Sequence, residues 1–147
     1  MQSVSELING FSRLKVLIIG DLMIDSYTWG KVSRISPEAP VPVVNVIRRE
    51  SRLGGAGNVV LNIASLGATA VICSVIGDDA PGRELQKIIL DANLSIEGLI
   101  VEPGRMTTVK ERIIAGSQQV VRVDSETENS ISLSSQQALL AHIKDSI

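Results

Sequence analysis

Three short apolar runs rich in branched residues alternate along the chain with two stretches of helical spacing. The runs predict strands at 14–21 and 69–79 and a weaker strand at 95–103, because a strand buried on both faces appears as a continuous apolar run. The helical patterns lie at 58–66 and 81–94. Strands that alternate with helices predict an α/β fold, with a parallel sheet and helices on its faces.

The helical patterns carry end signals and apolar faces. The first ends at Gly67, and its expected buried face is made of Val59, Asn62, Ile63 and Leu66. The second has Asp79 as its expected N-cap and Pro81 in its first turn, with the inward positions Leu85, Ile88 and Ile89. A last helix is expected to run to Ile147 from a capping box formed by Ser134 and Gln137.

Two segments interrupt this alternation. Residues 28–50 are extended and contain Pro37, Pro40 and Pro42, a density that excludes a central strand but suits a sheet edge. Residues 107–126 predict two strands around a turn at 115–118. We expect the two segments to pair into a small sheet over the main one.

Composition excludes several classes of function. The 147 residues are 44% hydrophobic, enough for one core. A net charge of −2 without a basic block argues against nucleic-acid binding. No apolar run reaches the roughly 20 residues of a membrane span. Cys73 is the single cysteine and no secretory leader is apparent, so a cytoplasmic location is expected. One cysteine and one histidine offer no transition-metal ligand set, and no metal site is predicted.

The glycine-rich stretch "RLGGAGNVVLNIASLGA" at 52–68 is the first candidate for chemistry. A dinucleotide fingerprint needs G-x-G-x-x-G directly after a buried strand, but Val60 stands at the last glycine position. A phosphate-binding P-loop also fails, because no Gly-Lys-Ser/Thr follows the glycines. The stretch is therefore not expected to hold a nucleotide phosphate.

A site for sugar hydroxyls is the third possibility. Asp25 is expected just past the C-terminal end of the first strand, where α/β sheets keep their ligands. Asn58 is expected in the first turn of the glycine-led helix. A carboxylate and an amide can together read vicinal hydroxyls, so the two side chains are expected to converge. On residue chemistry alone, Asp25 as a turn cap beside glycines that merely permit a bend remains equally open.

Four stretches together resemble a known family: "LIIGDLMIDSYTWGKVSRISPEAPVPVV", "RLGGAGNVVLNIASLGA", "VIGDDAPG" and "TTVKERIIAGSQQVVRVD". They are similar to the N-terminal half of ribokinase-like (PfkB-type) carbohydrate kinases, above all the heptose-phosphate kinase/ADP-heptose synthase branch. The resemblance implies a doubly wound α/β core with a β lid formed by segments 28–50 and 107–126. It also implies ATP- and Mg²⁺-dependent phosphorylation of heptose 7-phosphate at its anomeric hydroxyl, for lipopolysaccharide synthesis.

The same resemblance assigns the sugar contacts. Asp25 matches the aspartate that binds sugar hydroxyls in this family. The family's double-glycine sugar motif matches Gly54, Gly55 and Asn58. Lys110 and Arg112 share a face of one predicted strand with Thr108, and a cationic row there suits the distal phosphate. A solvated edge that guards against aggregation explains the same row equally well.

No catalytic residue is assigned, because the family's Gly-Ala-Gly-Asp signature does not occur in the sequence. Residues 1–147 are therefore expected to be the N-terminal part of a kinase domain, inactive alone, without the ATP-binding C-terminal half. ATP and Mg²⁺ belong to the complete kinase, and the resemblance implies a homodimer through the lid strands. A non-catalytic carbohydrate-binding or dimerisation fragment and another PfkB-type sugar kinase remain alternatives.

Overall fold

The computed structural model describes residues 3–146, which form four α-helices, one short 3₁₀ helix at Phe11–Arg13 and seven strands. The helices are α1 Val4–Gly10, α2 Ala56–Ser65, α3 Ala80–Asp91 and α4 Leu133–Ser146. The strands are β1 Lys15–Ile19, β2 Leu22–Ile35, β3 Pro42–Gly55, β4 Thr69–Gly77, β5 Leu99–Glu102, β6 Val109–Ala115 and β7 Gln118–Ser125. None of these helices is long and apolar enough to cross a membrane.

A three-stranded parallel sheet forms the centre of the fold. Its order is β1-β4-β5, so the three predicted apolar runs become the three parallel strands. Helices α2 and α4 both contact β4. The core is aliphatic and consists of Ile18, Leu22, Ile24, Leu53, Val60, Ile72, Ile76, Leu85 and Ile89. The predicted α/β fold is confirmed.

The two interrupting segments pair into a second sheet, called here the lid sheet, in the order β3-β2-β6-β7. Strands β2 and β3 are antiparallel, β2 and β6 are parallel, and β6 and β7 form the expected hairpin. Pro42 is the first residue of β3, an edge strand, where a proline is tolerated. The edge position expected for segment 28–50 is wrong for β2, which lies between β3 and β6 and contains none of the prolines. The strands are longer than the expected segment, because β2 begins at Leu22 and β3 continues to Gly55.

The predicted buried face of α2 is wrong. Val59 is 48% exposed and Leu66 is 51% exposed, whereas Gly57 and Val60 are buried. The helix begins at Ala56, and Gly57 packs against two leucines of the preceding strands. A Cβ at Gly57 would lie 2.9 Å from Leu53 Cβ and 3.0 Å from Leu22 Cδ2. This close approach fixes the rotation of the helix and turns Val60 inward.

The start of α4 also differs from the expected capping box. The helix begins at Leu133, and the Ser132 hydroxyl accepts a hydrogen bond from the Ser135 amide at 3.2 Å. Ser132 is held in place by the Glu102 carboxylate at the end of β5. A contact from a distant strand therefore selects the cap in place of Ser134. Ser146 ends the helix, and Ile147 lies outside the described residues.

Candidate functional site

Asp25 lies within β2 and not at the C-terminal end of the first strand, which corrects its expected position. After β1 the chain turns at Gly20–Asp21 and enters the lid sheet at Leu22. Met23 is then opposite Gly54 across the ladder, and Asp25 is opposite Arg52. The Asp25 carboxylate therefore lies on a strand beside Gly54 and Gly55, because the first residues of β2 pair with the last residues of β3.

Gly54 leaves room for the Asp25 carboxylate. A Cβ at Gly54 would lie 3.1 Å from Asp25 Cγ and 3.2 Å from Asp25 Oδ2. Gly55 next to it has a φ of +57°, and a Cβ there would run into the backbone carbonyl of Asp21. The two glycines thus have separate causes: Gly54 lets a carboxylate lie close to β3, and Gly55 adopts the positive φ at the entry to α2.

Arg112 on β6 is bonded to Asp25. Its Nη1 donates to Asp25 Oδ1 at 2.5 Å, and the two side chains are 26% and 25% exposed. This hydrogen bond raises the pKa of Arg112. Two residues that the sequence assigned to different parts of a sugar phosphate are therefore in direct contact.

Lys110 lies on the same face of β6, but it contacts other carboxylates. Its Nζ is 3.2 Å from both Asp124 Oδ2 and Glu126 Oε2. Arg122, on the same strand as Asp124, donates to Asp124 at 2.9 Å, so Asp124 joins cations of β6 and β7. Burial alone would raise the pKa of Asp124, but the hydrogen bonds from Arg122 and Lys110 lower it.

Two aromatic side chains, which were not among the predicted site residues, extend this face along β2. Tyr27 and Trp29 stack with ring centroids 5.4 Å apart. The Arg48 guanidinium lies 3.9 Å above the Trp29 ring, and that of Arg112 lies 5.5 Å from the Tyr27 ring. The sequence spacing of Asp25, Tyr27 and Trp29 indicates these aromatic neighbours, since every second residue of a strand lies on the same face.

Asn58 lies exposed in the first turn of α2, as expected. No hydrogen bond joins its side chain to Asp25 among residues 3–146. The two groups belong to adjoining elements, because Gly54, which packs against Asp25, is two residues before Ala56 at the start of the helix. Their convergence on one ligand stays a prediction.

The strand that carries Arg112 is anchored by Thr107, just before it. Thr107 is 1% exposed, and its hydroxyl is 2.7 Å from Asp79 Oδ1 and accepts from the Gly77 amide at 2.9 Å. Its own amide donates to Asp79 Oδ2 at 2.8 Å. Asp79 also accepts from the Gly82 amide, so its predicted N-cap role is confirmed. One carboxylate therefore joins the ends of β4, α3 and β6.

A groove lies on the opposite face of the lid sheet, beside α3. It has a volume of about 710 Å³ and is lined by Ser26, Arg49, Glu50, Ser51, Glu84, Lys87, Ile88 and Glu111. It contains none of the residues assigned to the sugar. Asp25 lies on the other, open face, because the alternate residues Leu22 and Ile24 of β2 pack in the core with Leu85 and Ile89 of α3.

Comparison with known proteins identifies the family. The sequence pattern of the pfkB family carbohydrate kinases matches residues 13–144. The chain belongs to this family. The bifunctional protein HldE of Citrifermentans bemidjiense is 48% identical over 130 residues, which are 88% of this chain and 27% of that protein. HldE of Wolinella succinogenes is 47% identical over 135 residues, which are 92% of this chain and 28% of that protein.

Solved structures of carbohydrate kinases share the fold of this pfkB-family chain. A carbohydrate kinase from Agrobacterium tumefaciens matches with a TM-score of 0.56 and 21% identity, over 76% of this chain and 35% of that one. A ribokinase from Cryptococcus neoformans in complex with ADP matches with a TM-score of 0.54 and 17% identity, over 89% and 44%. The chain thus spans less than a third of the HldE relatives and less than half of these kinases.

Proposed function

We propose that this chain carries the sugar-recognition surface of an ATP-dependent kinase that phosphorylates D-glycero-D-manno-heptose 7-phosphate at its anomeric hydroxyl. The product is the 1,7-bisphosphate, which leads to ADP-heptose and the lipopolysaccharide core. The observation that carries the proposal is the Asp25 carboxylate, held between Gly54 and Arg112 on the open face of the lid sheet. The HldE relatives support the choice of a heptose phosphate.

In this proposal Asp25 accepts hydrogen bonds from sugar hydroxyls. Its partly exposed carboxylate faces the open side of the lid sheet, and β2 and β3 fix its backbone. The neighbouring Gly54 brings β3 close to the sugar ring. Asn58 at the start of α2 donates and accepts through its amide. Together these groups orient the sugar, and orientation is a large part of catalysis in phosphoryl transfer.

The distal phosphate of the substrate is proposed to lie against Arg112 and Lys110. Both cations already contact carboxylates, so a phosphate on this face has to take them over from Asp25, Asp124 and Glu126. A phosphate carries more charge than a carboxylate and accepts two parallel hydrogen bonds from a guanidinium. The exchange is therefore favourable for a doubly charged ligand.

ATP, Mg²⁺ and the catalytic base are proposed to belong to the remainder of the complete kinase. Among residues 3–146, no three His, Cys, Asp or Glu side chains come together as metal ligands. When bound, Mg²⁺ would neutralise charge that develops on the transferred phosphoryl group. We also propose that the kinase works in the cytoplasm as a homodimer through its lid strands, whose outer edges at β3 and β7 have no partner strand in the described chain.

Calorimetric titration of the purified chain tests the substrate assignment. Heptose 7-phosphate is expected to bind, and fructose 6-phosphate and ribose are expected to bind at least tenfold more weakly. The Asp25→Asn variant should lose most of the heptose 7-phosphate affinity, whereas Arg83→Gln on α3, which contacts none of the proposed sugar or phosphate residues, should retain it. Equal affinity for all three sugars would favour another sugar kinase of the family. No binding of any of them would contradict the proposal.

A further inference from the structure

Asp25 and Arg112, which are proposed to contact different parts of the substrate, contact each other in the structure. The pair joins Arg112 Nη1 to Asp25 Oδ1. Each side chain is about three-quarters buried, with exposed fractions of 26% and 25%. The carboxylate oxygen and guanidinium nitrogen that a ligand would use are therefore already engaged with each other.

The second oxygen of Asp25 is also constrained. Oδ2 faces Gly54, where an added Cβ would lie 3.2 Å away. The carboxylate thus lies against β3 on one side and is neutralised by Arg112 on the other. A neutralised carboxylate is a weaker hydrogen-bond acceptor for a hydroxyl than a free one, since the charge-assisted bonds are the strong ones.

The other cations of this face have different partners. Lys110 contacts Asp124 and Glu126, Arg122 contacts Asp124, and Arg52 contacts Glu50. None of those acids is assigned to the sugar. Within the described residues, a ligand that competes for Arg112 would therefore remove the cation that is paired with the Asp25 carboxylate. A guanidinium has five N–H donors, so Arg112 can begin to bind a phosphate before it leaves Asp25.

We propose that Arg112 is a specificity-determining residue that masks Asp25 until the phosphate of a phosphorylated sugar takes up the guanidinium. This inference rests on the proposed function. The phosphate of a phosphorylated sugar replaces the Asp25 carboxylate at Arg112, and Asp25 is then free to accept hydrogen bonds from the sugar hydroxyls. The same sugar without phosphate has to break the Asp25–Arg112 pair with no replacement, and a charge left without its partner is costly.

Titration with free heptose tests the mask without any mutation. Free heptose is expected to bind the wild-type chain weakly, and saturating inorganic phosphate should tighten its binding several-fold by occupying Arg112. Sulfate at the same ionic strength, a second tetrahedral anion, should act in the same direction, and chloride should not. If phosphate leaves the affinity for free heptose unchanged or lowers it, the mask is refuted.

Substitution at Arg112 gives an independent test. Arg112→Met keeps an unbranched apolar side chain at this position but removes the charge. This variant should bind heptose 7-phosphate about tenfold or more weakly than the wild type and should bind free heptose more tightly. The ratio of the two affinities should therefore fall. Arg112→Lys should restore part of the preference. The matched control Arg83→Met, on α3, should leave the ratio of the two affinities unchanged, because Arg83 pairs with Asp78 and with none of these residues.

The outcomes separate the mask from the proposed function. If Arg112→Met weakens heptose 7-phosphate and leaves free heptose unchanged, Arg112 binds phosphate only and the mask is wrong, although the proposed function stands. If both sugars weaken, Arg112 positions Asp25 and the mask is again wrong. If the wild-type chain binds neither sugar, the proposed function fails and the mask fails with it. Thermal unfolding of each variant establishes that it is folded before it is titrated.

Discussion

At the scale of single residues, the charge of Asp25 is the feature to test. In a complete kinase that carries this sequence, Asp25→Asn keeps the shape of the side chain but removes the charge. One charge-assisted hydrogen bond is worth about 1.5–3 kcal/mol, so kcat/KM for the sugar should fall roughly ten- to hundredfold. The KM for ATP should stay within about twofold. Steady-state kinetics with each substrate varied in turn measures both, and an equal loss for ATP would contradict the assignment.

Gly54 offers a second residue-scale prediction. Gly54→Ala places a methyl group 2.8 Å from Met23 Cγ and 3.1 Å from Asp25 Cγ, so the carboxylate has to move. Binding of heptose 7-phosphate should weaken about tenfold, since a small displacement breaks a hydrogen bond. Gly10→Ala is the matched control, because an added Cβ there meets no atom within 4 Å. Calorimetry on both variants decides, and equal affinities would show that the close approach is unnecessary.

At the scale of secondary-structure elements, Thr107 joins three of them through one hydroxyl. Thr107→Val retains the volume but leaves the Gly77 amide without its acceptor and takes a hydrogen bond from Asp79. The expected loss is about 1–3 kcal/mol of unfolding free energy, the cost of an unsatisfied buried donor. Thr107→Ser keeps the hydroxyl and should lose less. Urea unfolding measures the series, and a Val variant as stable as the Ser variant would refute the role.

The same junction predicts a pH dependence. Burial would raise the pKa of Asp79, but the hydrogen bonds from Thr107 and Gly82 outweigh it and lower the pKa below its ordinary value. The ionised form is thus favoured by folding, and its contribution is present above about pH 4 and lost as the pH falls through the lowered pKa. Asp79→Asn should be less stable than wild type at pH 7, and the gap should shrink below pH 4. Urea unfolding from pH 2.5 to 7 measures the gap, and a constant gap would contradict this linkage.

At the scale of the whole molecule, the chain alone is expected to show no phosphotransfer to heptose 7-phosphate. The residue after its Gly-Ala-Gly is Asn58, an amide that cannot act as a general base at neutral pH. Incubation with ATP, Mg²⁺ and the sugar phosphate, followed by phosphate-transfer assay, measures this. A complete HldE protein is the positive control, and turnover above background would overturn the expectation.

Association of the chain is the second whole-molecule prediction. Apolar side chains are exposed on the lid strands, including Ile47 at 66%, Val46 at 48% and Val123 at 46%. Within residues 3–146, both edges of the lid sheet lack a neighbouring strand. Such edges favour pairing with another chain. Light scattering should give a mass above that of one chain. The substitutions Val46→Lys and Val123→Lys should lower the measured mass towards that of the monomer. A monomeric wild type would contradict the prediction.

The sequence by itself determined the features of this protein that depend on residues close together in the chain. Apolar runs and helical spacing placed the three parallel strands and α3, proline density placed β3 at an edge, and shared motifs identified the kinase family. These follow from local chemistry, because periodicity, prolines and caps act over a few residues.

The tertiary structure decided what depends on contacts between distant segments. It moved Asp25 into the lid sheet, turned Val60 in place of Val59 into the core, and selected Ser132 as the cap of α4 through Glu102. It also joined Asp25 to Arg112, which are 87 positions apart in the chain. No local pattern encodes that pair, because the parallel register of β2 and β6 alone brings the two side chains within reach of each other.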